Sequence, residues 1–157
     1  MGVKFEFSPL LHASVMAGFE HIDFEQDNFK DLSAAVYKAR LEWLPTQLLN
    51  ISLGAERYSS VTGFGDASTR LDTVFDGKLE YEIWRNLVFT ASGKYTISDF
   101  VGTGREDTGL QAGAGLEYLV NRNFKISANY NYRERDSEVE EFNFQGSTYM
   151  LGLSLKF

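Results

Sequence analysis

The chain has 157 residues, no cysteine, two histidines, two prolines and a formal charge of −7 from 22 acidic and 15 basic residues. That length supports one domain, and the composition excludes disulfides, cysteine nucleophiles and a histidine-rich metal centre. A net acidic chain also repels nucleic acid unless a basic patch is segregated, and no run reaches the roughly 18 apolar residues of a membrane-spanning helix.

Alternation of apolar and polar residues, the signature of strands, runs through most of the chain. A short stretch, Val3 to Phe7, ends at Ser8-Pro9. Leu11, Ala13, Val15, Ala17 and Phe19 then alternate with His12, Ser14, Met16, Gly18 and Glu20. Ala35, Tyr37, Ala39, Leu41 and Trp43 oppose Val36, Lys38, Arg40 and Glu42; Leu49, Ile51, Leu53 and Ala55 oppose Asn50, Ser52, Gly54 and Glu56. The segment from Leu71 to Ile83 sets Leu71, Phe75, Leu79 and Tyr81 against Asp72, Asp76, Lys78, Glu80 and Glu82. Leu87 to Ser98, Leu110 to Tyr118, Phe124 to Arg133 and Tyr149 to Phe157 repeat the rule. The pattern predicts eight full strands of about 10–15 residues, longer than the usual strand, plus the short N-terminal stub. Links alternate in length. Tight ones are expected at Ser8-Pro9, Pro45-Thr46-Gln47, Arg85-Asn86 and Asn121-Arg122, and longer polar ones near 24–31, 60–68, 100–107 and 136–143. That is an up-and-down antiparallel meander with turns at one end and loops at the other.

Alternation alone does not say whether the apolar face looks inward or out at lipid. Ten tilted residues cross roughly 25 Å, the height of an outer-membrane apolar band. Aromatic residues gather toward strand ends (Trp43, Tyr81, Phe89 and Tyr118 at one, Phe19, Tyr37, Tyr95 and Tyr130 at the other), with small and aliphatic ones between. That grading suits a lipid-facing belt with aromatic girdles, and as a soluble core its Ala/Gly middle would leave voids. The expected fold is an all-β, antiparallel up-and-down transmembrane β-barrel, a single domain over 1–157, in the bacterial outer membrane. The other face is expected to line the lumen with Lys38, Arg40, Glu42, Glu56, Arg70, Asp72, Asp76, Lys78, Glu80, Glu82, Lys94, Glu117, Lys125, Arg133 and Arg135. With Glu20 and Lys156 included the two signs nearly cancel, so a mutually paired ionic network is expected.

The last residues, Tyr149, Leu151, Leu153, Leu155 and Phe157 at alternate positions, resemble the C-terminal signature of bacterial outer-membrane barrels. The resemblance implies a strand read by the barrel-assembly machinery. Phe7-Ser-Pro-Leu-Leu11, Trp43-Leu-Pro-Thr46, Glu80-Tyr-Glu-Ile-Trp-Arg-Asn-Leu87, Thr90-Ala-Ser-Gly-Lys-Tyr95, Gly115-Leu-Glu-Tyr-Leu-Val-Asn-Arg122 and Tyr130-Asn-Tyr-Arg-Glu-Arg-Asp-Ser137 resemble the putative beta-barrel porin family, porin 2 type. The likeness is expected to be to the C-terminal part of that family. It implies either a short eight-stranded barrel or a portion of a larger diffusion porin.

Sharper sites weigh less. His12 and Ser14 share the polar face, but at the tight-turn end, so a His/Ser/acid catalytic site is not expected. His21 with Asp23 and Glu25 reads as a solvated rim rather than a metal site. Gly113-Ala-Gly115 is expected to make room for neighbours on the polar face. The loop acids Asp23, Glu25, Asp27, Asp31, Asp66, Asp99, Glu106, Asp107, Asp136, Glu138, Glu140 and Glu141 face only Lys30 and Arg105. They read as a solubilising outer surface, with divalent-cation bridging to lipopolysaccharide as the weaker reading. The expected function is a porin-like or structural barrel without catalysis, cofactor or metal, its partners being outer-membrane lipid, lipopolysaccharide and the assembly machinery. A soluble small-molecule-binding β-barrel is the alternative.

Overall fold

A computed structural model describes residues 2–23, 31–61 and 69–156, with only the backbone of Glu6 and Phe7. Nine strands form one sheet in sequence order, every neighbouring pair antiparallel: β1 (Gly2–Ser8), β2 (Leu11–Ile22), β3 (Leu32–Thr46), β4 (Leu49–Val61), β5 (Thr69–Trp84), β6 (Leu87–Val101), β7 (Arg105–Leu119), β8 (Phe124–Ser137) and β9 (Phe144–Leu155). A 3-10 turn, Glu140–Phe142, precedes β9. These are the eight long strands and the short stub that alternation predicts.

Local hydrogen bonds make the tight turns. Ser8 Oγ accepts from the Leu10 amide (3.2 Å), and Thr46 Oγ1 from that of Leu48 (3.3 Å). Asn121 Oδ1 accepts from the amides of Asn123 and Phe124, both at 2.9 Å. Short polar side chains of this kind stand in for a backbone partner at a reversal.

One expected long link is not long. β6 runs through Val101 and β7 starts at Arg105, so only residues 102–104 connect them. Gly102 and Gly104 adopt φ of 97° and 70°, a region that glycine enters without steric cost. Their permissiveness lets Ser98–Val101 and Arg105–Thr108 remain in strand.

Among the described residues no ladder joins β1 to β9, so the sheet is not closed. Parity bears on this. In a nine-stranded meander the first and last strands run the same way and could meet only as a parallel pair. Alternation along each strand carries no information about that seam.

The apolar interior is small. Leu32, Ala34 and Leu71 form one buried cluster with Ile22 and Val101 against it, at the end opposite the tight turns. Large apolar side chains instead stand exposed along the odd-numbered face of β2 to β6 and its continuation, among them Phe19, Trp43, Leu53, Phe75, Leu116 and Leu151.

Candidate functional site

The opposite face carries the polar residues, and register sets them in rows across the strands. One row reads Arg40, Gly54, Asp76, Lys94, Gln111, Arg133, Gly146 from β3 to β9. Within it Arg40 Nη1 reaches Asp76 Oδ2 at 2.8 Å across β4. The gap is Gly54: a Cβ there would run into the Asp76 carboxylate and stand 2.9 Å from Arg40 Nη1. Gly113 works similarly, since a Cβ would lie 2.7 Å from Ser92 Oγ and 3.0 Å from Asn131 Oδ1. Small residues on this face therefore make space for cross-strand polar contacts.

Further pairs join Lys38 to Glu56 (3.2 Å), Lys78 to Glu80 (2.8 Å), Lys125 to Glu117 (2.9 Å) and Arg70 to Asp72 (2.8 Å). Glu20 accepts a hydrogen bond from Ser59 Oγ at 2.7 Å. Of the fifteen polar-face residues that the sequence singles out, Glu42, Glu82, Lys94, Arg133 and Arg135 enter none of these pairs; Arg135 pairs instead with Asp107.

The tightest cluster is at the loop end. Asp72, Ser98, Asp107 and Ser137 are buried side by side from β5 to β8. Asp72 accepts from Ser98 Oγ at 2.5 Å and from Arg70 Nε at 2.9 Å. Asp107 is held by Arg105 Nε (2.9 Å) and Nη2 (2.7 Å), Arg135 Nη2 (2.5 Å) and Ser137 Oγ (2.5 Å). Phe142 of the 3-10 turn covers the cluster, with the guanidinium of Arg105 4.6 Å from its ring centre and that of Arg135 5.7 Å away. Phe100 flanks Arg105 at 4.5 Å.

The outward residues at this height, Asp99, Glu106 and Asp136, are charged, so the cluster lies beyond the apolar belt. Burial opposes ionisation of Asp107, but hydrogen bonds from Arg105, Ser137 and Arg135 outweigh it and bring the carboxyl from 3.8 to about 2. The sequence reading places Asp107 and Arg105 among solvated loop charges. The structure instead puts both in β7 and buries the acid. Asp99, Glu106 and Asp136 likewise lie in strands, not loops. Carrying the alternation of Gln111 and Gly109 two residues further back would have placed Asp107 on the polar face.

Other singled-out residues fall as follows. His12 stands opposite Glu42, and Ser14 opposite Arg40. His21 Nε2 meets Asp23 at 2.9 Å and its Nδ1 meets Ser33 Oγ at 2.7 Å, on the exposed outward face. Among the described residues no group of three His, Asp or Glu side chains could hold a metal ion. Tyr149, Leu151, Leu153 and Leu155 all lie on β9 and are exposed, Leu151 by 88%. Phe157, Glu25, Asp27, Lys30 and Asp66 lie outside the described residues.

The family model described as "Putative beta-barrel porin 2" matches residues 1–157, the whole chain. That overturns the expectation of a likeness confined to the family's C-terminal part: motifs spread along the sequence left the extent of the match open. Among solved structures, one described as the NanC porin in a rhombohedral crystal form matches with a TM-score of 0.56 and 16% identity. The match covers 99% of this chain and 91% of that one, and at this identity it establishes the fold. No curated protein matches the chain.

Proposed function

Since the chain belongs to the putative beta-barrel porin 2 family, we propose that it is a porin-like β-barrel of the bacterial outer membrane, without catalysis, whose ion-paired face lines a water-filled lumen. One observation carries the reading: along the middle of the sheet one face presents exposed large apolar side chains and the other presents ion pairs. Leu151, Leu153, Tyr149 and Phe19 are 88%, 73%, 78% and 71% exposed on one face, a surface that water penalises and lipid accepts. The other face carries the paired arginines, lysines and carboxylates. A soluble binding barrel would reverse this arrangement and bury the apolar side.

In a membrane the free edges of β1 and β9 have to be paired, because lipid offers no hydrogen bonds to an open strand. The exposed alternate residues of β9 suit outer-membrane lipid and the assembly machinery. The acidic outer end suits a solvated surface facing lipopolysaccharide.

The test is refolding into detergent and planar bilayers. The folded protein should migrate faster on a gel unheated than boiled, and should carry ionic current. Stable extraction into plain buffer as a monomer would refute the membrane reading. A folded barrel that never conducts would leave a structural role in place of the porin one.

A further inference from the structure

Lys94 and Arg133 lie two strands apart in the same row, with Gln111 of β7 between them. Strands are spaced about 4.8 Å, so the two backbones stand about 10 Å apart, within reach of two long side chains converging over Gln111. Both residues line a cavity of about 240 Å³ together with Gln111, Ser92 and Asn131. The same three residues, Lys94, Gln111 and Arg133, also line the neighbouring cavity of about 260 Å³ that leads to the loop end. They therefore sit where the two cavities meet.

Among the described residues neither Lys94 nor Arg133 forms an ion pair; of the acids lining the second cavity, Asp72 is held by Arg70, Asp107 by Arg105 and Arg135, and Glu134 accepts from the Tyr132 hydroxyl at 2.9 Å. Lys94 faces Asp76 of neighbouring β5, but that carboxylate is engaged by Arg40 at 2.8 Å. Arg133 faces Gln111 on one side and Gly146 on the other. Along its own strand Lys94 is flanked on this face by Ser92 and Thr96, and Arg133 by Asn131 and Arg135. Lys78, the third cation of the first cavity, is taken by Glu80 at 2.8 Å. Elsewhere on the polar face most charges are matched within 3.2 Å; here two positive charges stand together unmatched. Two like charges held in one narrow space are costly unless water or a counter-charge compensates them. Gln111 and Asn131 add neutral amide donors, and Ser92 a hydroxyl donor, all suited to carboxylate or phosphate oxygens.

We propose that Lys94 and Arg133, with Gln111 between them, form a binding and selectivity site for small anions bearing carboxylate or phosphate groups. The site rests on the lumen reading above and adds the substrate class to it.

The experiment has two arms on the folded, detergent-solubilised full chain. Calorimetric titration with succinate and, separately, inorganic phosphate reads binding and tells the two oxyanion sources apart. Reversal potentials under a potassium chloride gradient read the preference for anion over cation. Wild type should bind at least one of the two probes and favour chloride. The Lys94→Gln/Arg133→Gln double variant should lose affinity at least tenfold at low salt and lose most of the chloride preference. Heat-modifiability checks that it folds, and a Lys94→Arg variant should retain both properties. If wild type binds neither probe, or the double variant binds as well as wild type, the site is refuted. Current without anion preference and without binding refutes the site and keeps the porin reading. Binding that depends on the two cations without any current does the opposite.

Discussion

Asp107→Ala tests the loop-end cluster most directly. Asp107 is 3% exposed and receives bonds from Arg105, Arg135 and Ser137. Removing one partner of a buried pair costs about 3–5 kcal/mol. Arg105 and Arg135 are 21% and 35% exposed, so the freed guanidiniums recover part of their hydration, and about 2–3 kcal/mol is expected. Proton linkage agrees. A carboxyl moved from 3.8 to about 2 corresponds to roughly 2 kcal/mol. The measurement is urea unfolding of the folded protein in lipid vesicles, followed by tryptophan fluorescence. Trp43 and Trp84 lie at the tight-turn end, so they report global unfolding rather than local change. Asp136→Ala is the matched control, removing the same charge from an exposed, outward-facing neighbour, and should change stability by less than about 0.5 kcal/mol. Equal effects of the two substitutions, or a loss below about 0.5 kcal/mol for Asp107→Ala, would refute the view that this carboxylate organises the loop end.

The folded pKa of Asp107 is depressed, so its contribution is fully present above about pH 3.8 and is lost as the pH falls toward 2; the acid limb of a stability profile should flatten in the alanine variant. Leu53→Arg, on the exposed apolar face, should destabilise the protein in bilayers by about 2–4 kcal/mol, while Ser52→Arg on the polar face should cost less than about 1 kcal/mol; equal costs would contradict the assignment of faces. Gly54→Leu should displace the Asp76 carboxylate from Arg40 and destabilise by about 1–3 kcal/mol, the usual cost of overpacking, whereas Gly146→Ala, whose Cβ would meet open space, should be tolerated when both are compared by urea unfolding.

Several features are legible in the residues alone. Period-two alternation gives eight long strands, the sides on which Leu53 and Ser52 fall, and the tight turns at Ser8-Pro9 and Arg85-Asn86, because a strand's side-chain period is a local property of the backbone. The charges of the polar face are legible too, but their pairing is not. Arg40 meets Asp76 across an intervening strand, 36 residues away in sequence, and only because position 54 lacks a side chain. Asp107 reads as a loop acid because Gly102 and Gly104 resemble a loop; in three dimensions they make a turn tight enough to keep the acid in strand.

By itself, then, the sequence determines the body of each strand, though not its loop-side end, and which of two faces each residue there joins, since both follow from neighbours one and two positions apart. The tertiary structure decides which charges cancel and which stay exposed to a solute. It also decides that nine strands in order leave β1 and β9 running the same way, with no ladder between them among the described residues. Charge cancellation and edge pairing depend on register between distant strands, set by the whole sheet at once rather than by any one segment.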